Sequence, residues 1–358
     1  MSDSASQANQ HCTKQLELFD LHDTNRHSMA DQAKWQALMK WTMKHTDGTT
    51  PTDATPISED KQRFLEMVMN EGVIDENERV KDILRILEGE DPRLVFAKED
   101  GTIADEGSEP SPGDLAEYKN TLLDELLTRI DQIDNAQNFV KMGGLRVMTK
   151  VIQNYEQASS RALAAEVCSV VVQNNPFCQD AAVESGLLEV LCTLAREDKD
   201  VTCRVKALLG ISCLVRHHAV AEKRFLGESC EGLELMRQNL ESATDIRLQR
   251  KSLFFLRYLI RNTRTTADLV LQKGFFIQSA AAFITNEDVD LCESAVEGLA
   301  EFAMIGPDFM AACKKPEFDL IAKCDERLKQ IDALESEDKE YAQETKVRVE
   351  YLKKVLTV

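Results

Sequence analysis

The sequence has no apolar stretch of the ~18 residues that a membrane-spanning helix needs, and no basic-then-apolar signal at its N-terminus. Positive charge is also scarce, because 43 Lys and Arg residues stand against 62 Asp and Glu residues, for a formal net charge of -19. Such a chain repels the phosphates of nucleic acid and the anionic surface of membranes. We therefore expect a cytoplasmic protein, with the nucleus as a second compartment, that binds neither nucleic acid nor membrane.

Catalytic and cofactor motifs are missing as well. The sequence has no GxxxxGK[ST], GxSxG, HExxH or GxGxxG motif, and its six histidines have no metal-ligand spacing with cysteines or carboxylates. Its ten cysteines form no CxxC pair and mostly lie in apolar helical patterns, which is typical of reduced core thiols. We expect no enzymatic activity, no cofactor and no metal site, and we expect His217 and His218 to cap the end of a helix.

The N-terminal segment, residues 1–56, is polar up to about residue 33, which predicts disorder. It also contains both tryptophans of the chain, in the stretch KWQALMKWTMKHTDGT. The apolar residues of this stretch form one arc on a helical wheel: Trp35, Leu38, Met39, Trp41 and Met43. The pattern alone favours a short amphipathic helix that docks on the rest of the chain.

Residues 57–118 are predicted to contain two helices and a linker. Ser58 is a suitable cap for a helix through 64–68, and a second apolar period covers 80–87. The acidic stretch 88–114 has Pro and Gly punctuation and no sustained period, so we expect a loop or linker there.

From residue 119 onward the pattern is helical and periodic. Four glycines, 42, 46 and 42 residues apart, each precede an apolar helical run: Gly144, Gly186, Gly232 and Gly274. A second apolar helix follows each glycine, and these helices cover 161–175, 204–218, 247–262 and 291–304. We expect each glycine to provide either a positive φ angle or a close approach between helices.

A period of about 40 to 47 residues indicates an armadillo or HEAT solenoid. The predicted fold is therefore all-α, an armadillo-like right-handed solenoid of about four repeats with helical caps and a flexible N-terminus. The repeats occupy 119–316, and 317–358 form the C-terminal helical cap. The last helix of each repeat is expected to line a concave groove that binds a partner.

The third repeat carries a row of arginines on one face of a helix: Arg247, Arg250, Arg257, Arg261 and, if the helix continues that far, Arg264. Its predicted core side consists of Leu248, Leu253, Phe255, Leu256 and Leu259. The row is either a solvated face with carboxylate partners in the same chain, or part of a binding groove. The equivalent helices add Gln173, Asn174 and Asn175 in the first repeat, and Arg204, Lys206 and Arg216 in the second.

Several stretches resemble the Hsp70-binding-protein/Fes family of armadillo-type nucleotide-exchange factors for Hsp70 chaperones: KWTMKHTDGTTPT, IDQIDNAQNFVKMGGL, VVQNNP, RVKALLGISCLVRHH and LQRKSLFFLRYLIRN. The resemblance runs from about Lys34 to the C-terminus, and residues 1–33 and 88–114 depart from it. It implies a non-enzymatic, cytosolic exchange factor that clasps lobe II of the Hsp70 ATPase domain with its concave face and so releases ADP. We also expect a monomer.

The resemblance also implies residue roles. Asp134, Asn135 and Ala136 correspond to a place where a small residue lets the chaperone approach closely, and Arg250 corresponds to a basic groove position. The predicted Hsp70-binding residues are Asn135, Ala136, Asn174, Asn175, Arg204, Lys206, Arg216, Arg247, Arg250, Arg257 and Arg261. The tryptophan stretch is implied to compete with clients at the substrate-binding domain of Hsp70. The alternative function is an armadillo-type adaptor that binds an extended peptide or protein partner without exchange activity.

Overall fold

The structure, a computed structural model, describes residues 76–92, 112–242 and 245–357, and these residues contain eighteen helices and no strand. The first two helices are α1 (Glu76–Leu87) and α2 (Pro112–Arg129). The bounds of α1 confirm the helix predicted over 80–87. The helix predicted around 64–68 and the whole N-terminal segment 1–56 lie outside the described residues.

After α2 the helices follow one order, short, short and long. The first two such units are α3 (Ile133–Lys141), α4 (Gly144–Asn154) and α5 (Ala158–Val172), then α6 (Pro176–Glu184), α7 (Leu187–Glu197) and α8 (Val201–Val215). The next two are α9 (Ala219–Leu226), α10 (Gly232–Ser242) and α11 (Ile246–Asn262), then α12 (Arg264–Lys273), α13 (Phe275–Phe283) and α14 (Val289–Met304). The last helices are α15 (Pro307–Cys313), α16 (Leu320–Asp332), α17 (Ser336–Tyr341) and α18 (Gln343–Thr357).

These bounds qualify the predicted division of the chain. The boundary between residues 118 and 119 falls inside α2. The region predicted as a C-terminal cap, 317–358, contains α16 and α18, which continue the short and long positions of the units before it. Its role as a cap stays a prediction.

Three of the long helices begin where an aspartate caps them. Asp200, Asp245 and Asp288 each accept a hydrogen bond from a backbone N–H in the first turn of α8, α11 and α14. The predicted helices 161–175 and 204–218 are shifted, because α5 ends at Val172 and α8 at Val215. Asn174 and His217 follow these ends with positive φ angles of 53° and 59°, and this left-handed conformation ends the helix.

The four periodic glycines divide between the two predicted roles. Gly186 and Gly274 have φ angles of 75° and 76°, a conformation that a side chain would strain. Gly144 and Gly232 instead begin α4 and α10, where an added Cβ would lie 2.4 Å from a phenylalanine ring of the preceding short helix. One glycine spacing therefore serves two different local requirements.

The core lies between two rows of helices. The long helices α2, α5, α8, α11, α14 and α18 pack in sequence against one another, and the second short helix of each unit packs against its own long helix. The predicted core side of α11 is confirmed, because all five residues are at most 1% exposed. The nine cysteines of the described region are free, and eight of them are buried, as predicted, while Cys12 lies outside that region.

Candidate functional site

The long helices present one continuous exposed face. Residues at equivalent positions, spaced by four and three along each helix, are exposed or half-buried there. We call this set the long-helix face. It consists of Ser159, Leu163, Glu166, Val170 and Gln173; Thr202, Lys206, Leu209, Cys213 and Arg216; Arg247, Lys251, Phe254, Tyr258 and Arg261; and Asp290, Ser294, Glu297, Glu301 and Met304. Its charge is positive on α8 and α11 and negative on α14.

The first two predicted arginines of α11 are neutralised within the chain. Arg247 pairs with the helix-capping Asp245 at 2.9 Å, and Arg250 pairs with Asp288 and Asp290. The bond from Arg250 holds the pKa of Asp288 below its usual value, although burial opposes this. Of the two explanations left open by the sequence, carboxylate partners in the same chain apply to these residues.

Arg257 is the most enclosed of the row. Its side chain is 11% exposed, and its Nη2 lies 2.9 Å from a carboxylate oxygen of Glu297 and 3.0 Å from one of Glu301. Both carboxylates belong to α14, so Arg257 fastens α11 to the next long helix. A partner protein would have to displace these carboxylates to reach it.

Arg261 and Arg264 have different positions. Arg261 is 66% exposed, and its Nη1 lies 3.6 Å from Glu301, a loose contact. The prediction that Arg264 extends the row is wrong, because α11 ends at Asn262 and Thr263 caps α12. Arg264 lies over the ring of Phe309 at 4.6 Å, away from the long-helix face.

The predicted basic residues of α8 also separate. Lys206 lies on the long-helix face and pairs with Glu166 of α5 at 2.5 Å. Arg204 points to the short helices instead, where its Nε donates to the carbonyl oxygen of Ala195 at 3.0 Å and its Nη2 to Asn239 at 3.1 Å. Arg204 therefore does not belong to the face that the sequence predicted for it.

Arg216 is held against two aromatic rings. Its guanidinium carbon lies 5.0 Å from the ring centre of Phe254 and 4.7 Å from that of Tyr258, and its Nε donates to the Ser212 hydroxyl at 2.9 Å. The Tyr258 hydroxyl accepts a hydrogen bond from the backbone N–H of His217 at 2.8 Å. In the part of the chain that the structure describes, no carboxylate oxygen lies within 4.0 Å of the Arg216 guanidinium.

Residues 135–297 match a family model described as the SIL1/FES1/HPBP1 C-terminal domain. This stretch is therefore similar to the C-terminal domain of the SIL1/FES1/HPBP1 family. The matched region begins in α3 and ends in α14, so it contains nearly all of the long-helix face.

The chain is also similar to proteins whose names refer to Hsp70. The chain is 26% identical over 269 residues to Hsp70-binding protein 1 of Mus musculus, covering 74% of this chain and 71% of that protein. It is 31% identical over 129 residues to the Hsp70 nucleotide exchange factor FES1 of Coccidioides immitis, covering 35% of this chain and 59% of that protein. A computationally designed armadillo repeat protein for modular peptide recognition superposes with a TM-score of 0.56 at 11% identity, over 77% of this chain and 99% of that protein. The predicted armadillo-like fold is confirmed.

The predicted site residues near the start of the matched region are largely structural. Ala136 is 3% exposed and belongs to the core, so a partner cannot reach its side chain without displacing packed residues. Asn135 donates to the carbonyl oxygen of Arg129 at 2.8 Å. Asn175 is 2% exposed and caps α6, and Asn174 is exposed in the turn before it, so neither lies on the long helix as predicted.

Of the two histidines, His218 has a capping role, but at a different helix end from the one predicted. His218 accepts a hydrogen bond from the Ala221 backbone N–H through Nδ1, so it caps the start of α9, and its Nε2 lies 2.9 Å from Asp180. Across residues 76–92, 112–242 and 245–357, no group of three or more His, Cys, Asp or Glu side chains could hold a metal ion. Within the same ranges no helix has the length and apolar character to cross a membrane.

Sequence reasoning missed Phe254 and Tyr258. The prediction placed Phe255 in the core and gave no role to the other two aromatic residues of α11, yet Phe254 is 57% exposed and Tyr258 is half-buried. Phe254 follows Arg247 by seven residues, which puts both on the same side of the helix. A helical wheel that included every residue of α11 would have found it. The predicted client-release residues, Trp35 to Met43, lie outside the described residues.

Proposed function

We propose that this protein is a nucleotide-exchange factor for a cytosolic Hsp70, and that it acts through the long-helix face without enzymatic activity of its own. The proposal is carried by the match of residues 135–297 to the SIL1/FES1/HPBP1 C-terminal domain. Two relatives are named for Hsp70 binding and for Hsp70 nucleotide exchange, which supports the same partner and activity.

The mechanism is a coupling of two binding equilibria. The long-helix face clasps lobe II of the ATPase domain and binds the opened, nucleotide-poor form more tightly than the closed form. It must then weaken ADP binding by the same factor by which ADP weakens the clasp. ATP rebinds to the opened domain, and the chaperone releases its client.

The electrostatics of the face suit a partner surface of mixed charge. Lys251 and Arg261 of α11 are positive, and Glu297 and Glu301 of α14 are negative, although the chain as a whole has a net charge of -19. A matching pattern on the ATPase domain would fix its orientation more than its affinity.

The experiment is release of fluorescent ADP from a cytosolic Hsp70 on addition of the full chain at equal concentration. Coupling energies of ~1–3 kcal/mol predict that ADP binding weakens about fivefold or more and that release accelerates. Unchanged release would refute exchange activity. The variant Arg261→Glu should lose activity, whereas the same change at Lys329, exposed on α16 outside the face, should not.

The adaptor alternative is separated by its response to ATP. An exchange factor held by the nucleotide-poor chaperone should be released when ATP is added to a pull-down of Hsp70, because ATP favours the closed domain. A passive peptide adaptor should stay bound to Hsp70 when ATP is added. Retention of the complex in excess ATP would therefore favour the adaptor.

The N-terminal tryptophan stretch is proposed to displace clients from the substrate-binding domain. An apolar, aromatic core with basic flanks is what a chaperone peptide groove accepts. Deleting residues 1–49 should leave ADP release intact and slow the release of a tightly held client. Equal losses in both measurements would favour docking of the stretch on the chain's own helices.

The cytoplasmic and nuclear location and the monomeric state complete the proposal. Imaging of the tagged full chain in cells tests the first, and light scattering of the purified chain tests the second. A dimer at the concentrations of the exchange measurement would contradict the one-to-one clasp.

A further inference from the structure

We propose that Arg216, held against Phe254 and Tyr258, is the carboxylate-binding point of the long-helix face, and that the partner offers there an Asp or Glu side chain beside an apolar one. This inference rests on the proposed function and names the chemistry that the face recognises.

The argument begins with the orientation of the guanidinium. The two rings lie within 5.0 Å of its central carbon, and the Ser212 hydroxyl binds Nε, so neither the face of the group nor this nitrogen is free. No partner of Nη1 or Nη2 is found among the described residues. Two parallel N–H donors from an arginine match the two oxygens of a carboxylate.

The second step is the contrast with three arginines of α11. Arg247, Arg250 and Arg257 each already contact a carboxylate at 3.1 Å or less, so a partner would have to break an existing ion pair. Arg216 has no such pair to break among the described residues, and its stacking on the rings holds the side chain in place before binding. Less side-chain entropy is then lost when a carboxylate arrives.

The third step concerns the surroundings of Arg216. Phe254 is the exposed ring beside it, 57% exposed in the middle of α11. Burial raises the pKa of the neighbouring Cys213 thiol, and the positive charges of Arg216 and Lys251 only partly offset this rise. An aromatic ring and an arginine together are the residues most often found at energetic centres of protein interfaces. The cluster is also a local positive site on an acidic chain, so it selects acidic partners.

The test is the affinity of the purified chain for the ATPase domain of Hsp70, measured by calorimetry in nucleotide-free buffer. Arg216→Gln should weaken binding about 20-fold, because a hydrogen-bonded charge pair is lost. Arg216→Lys keeps the charge but loses the two parallel N–H donors of the guanidinium, and we expect about a fivefold loss of affinity. Phe254→Ala removes only the exposed ring, and we expect about a tenfold loss.

Two comparisons make the test specific. Arg237→Gln, on α10 among the short helices, should bind like the wild type, and Arg250→Gln should lose less affinity than Arg216→Gln. Unfolding midpoints close to that of the wild type verify that each variant is folded. If the wild type binds and Arg216→Gln and Phe254→Ala bind within twofold of it, the inference is wrong and the proposed function stands. A wild type that does not bind the ATPase domain overturns both.

Discussion

The pair α5 and α8 and the pair α11 and α14 occupy equivalent places in successive units, yet different contacts hold them together. Small residues are buried on both helices of the first pair, Ala164 and Ala165 on α5 and Ala207 and Gly210 on α8, and one ion pair, between Lys206 and Glu166, joins the exposed sides of these helices. The second pair is joined by Arg250 and Arg257 of α11, which reach carboxylates of α14 and of its cap. One sequence period therefore supports a contact rich in small residues in one place and a contact made by arginine–carboxylate pairs in another.

The difference explains which charges remain for a partner. The arginines of α11 that form ion pairs with α14 contribute to the joint between the helices. Arg216 lies where the two pairs meet, at the end of α8 and against the rings of α11. Among the described residues it forms no ion pair with α14, and the neighbouring α5 contributes only Glu166, which pairs with Lys206.

The largest expected effect on stability comes from placing a larger side chain at the contact between α5 and α8. In Gly210→Leu, the first added carbon already lies 3.2 Å from the Leu191 side chain and 3.5 Å from the carbonyl oxygen of Ala165. Forcing further carbons between α5 and α8 should lower the free energy of unfolding by about 3 kcal/mol. Urea unfolding measures this loss.

Gly210→Ala is the matched control for that measurement. Its single methyl group meets the movable end of Leu191, and alanine favours the helix over glycine by about 1 kcal/mol. We expect little net change. A Leu variant as stable as the Ala variant would mean that α5 and α8 do not depend on small residues for their contact.

The sequence was sufficient for the helices and their core, because both follow from periods within one segment. The apolar period gave the buried side of α11, from Leu248 to Leu259, without error. Contacts between repeats have no such signal. The partners of Arg250 and Arg257 lie 38 to 44 residues away along the chain, and a helical wheel of one segment cannot reveal them.

The helix ends were predicted too late for a related reason. Asn174 and His217 are polar residues that a helix can accommodate, and only their backbone conformation ends α5 and α8. Pro176 was the one local sign of a break after α5. Ala136 was assigned by resemblance to the binding site, but its burial depends on how α3 packs on α5, which the sequence does not state.

A smaller effect on stability is expected from removing the buried ion pair between Asp198 and Arg161, beside the pair α5 and α8. Asp198 has a side chain that is 5% exposed, and it accepts bonds of 2.7 and 3.0 Å from Arg161 of α5. Asp198→Asn keeps the shape but removes the charge, and it should cost about 2 kcal/mol in urea unfolding. The exposed pair of Glu234 and Arg237 offers the comparison, because Glu234→Gln should cost less than about 0.5 kcal/mol. Equal losses would show that burial does not decide the value of these pairs.

The same pair predicts a pH dependence. Burial would raise the pKa of Asp198, but the hydrogen bonds from Arg161 and from the Asp200 backbone outweigh it, so the pKa lies below its usual value. A carboxyl with a depressed pKa stabilises the fold above its unfolded pKa of about 3.9, and this stability is lost as pH falls through the folded pKa. The stability difference between the wild type and Asp198→Asn should therefore be full at pH 6 and shrink below pH 4. A difference that stays constant down to pH 2 would contradict the role of the charge.

The smallest expected effect on stability is that of Asp288→Asn, at the contact between α11 and α14. Arg250 lowers the pKa of Asp288, against the effect of burial, but the Arg250 side chain is 40% exposed and solvent screens the pair. Asparagine is as good a cap as aspartate, so the bond from the Leu291 backbone N–H to this side chain should survive. We expect a loss of about 0.5 kcal/mol, which should fall further in 1 M salt because exposed charges are screened there. Asp288→Ala, which also removes the cap, should cost about 1 kcal/mol more at either salt concentration. If Asp288→Asn instead costs as much as Asp198→Asn, the ion pairs between α11 and α14 stabilise the fold as strongly as the buried pair of Asp198 and Arg161. The two pairs of helices would then differ in the type of contact but not in its free energy.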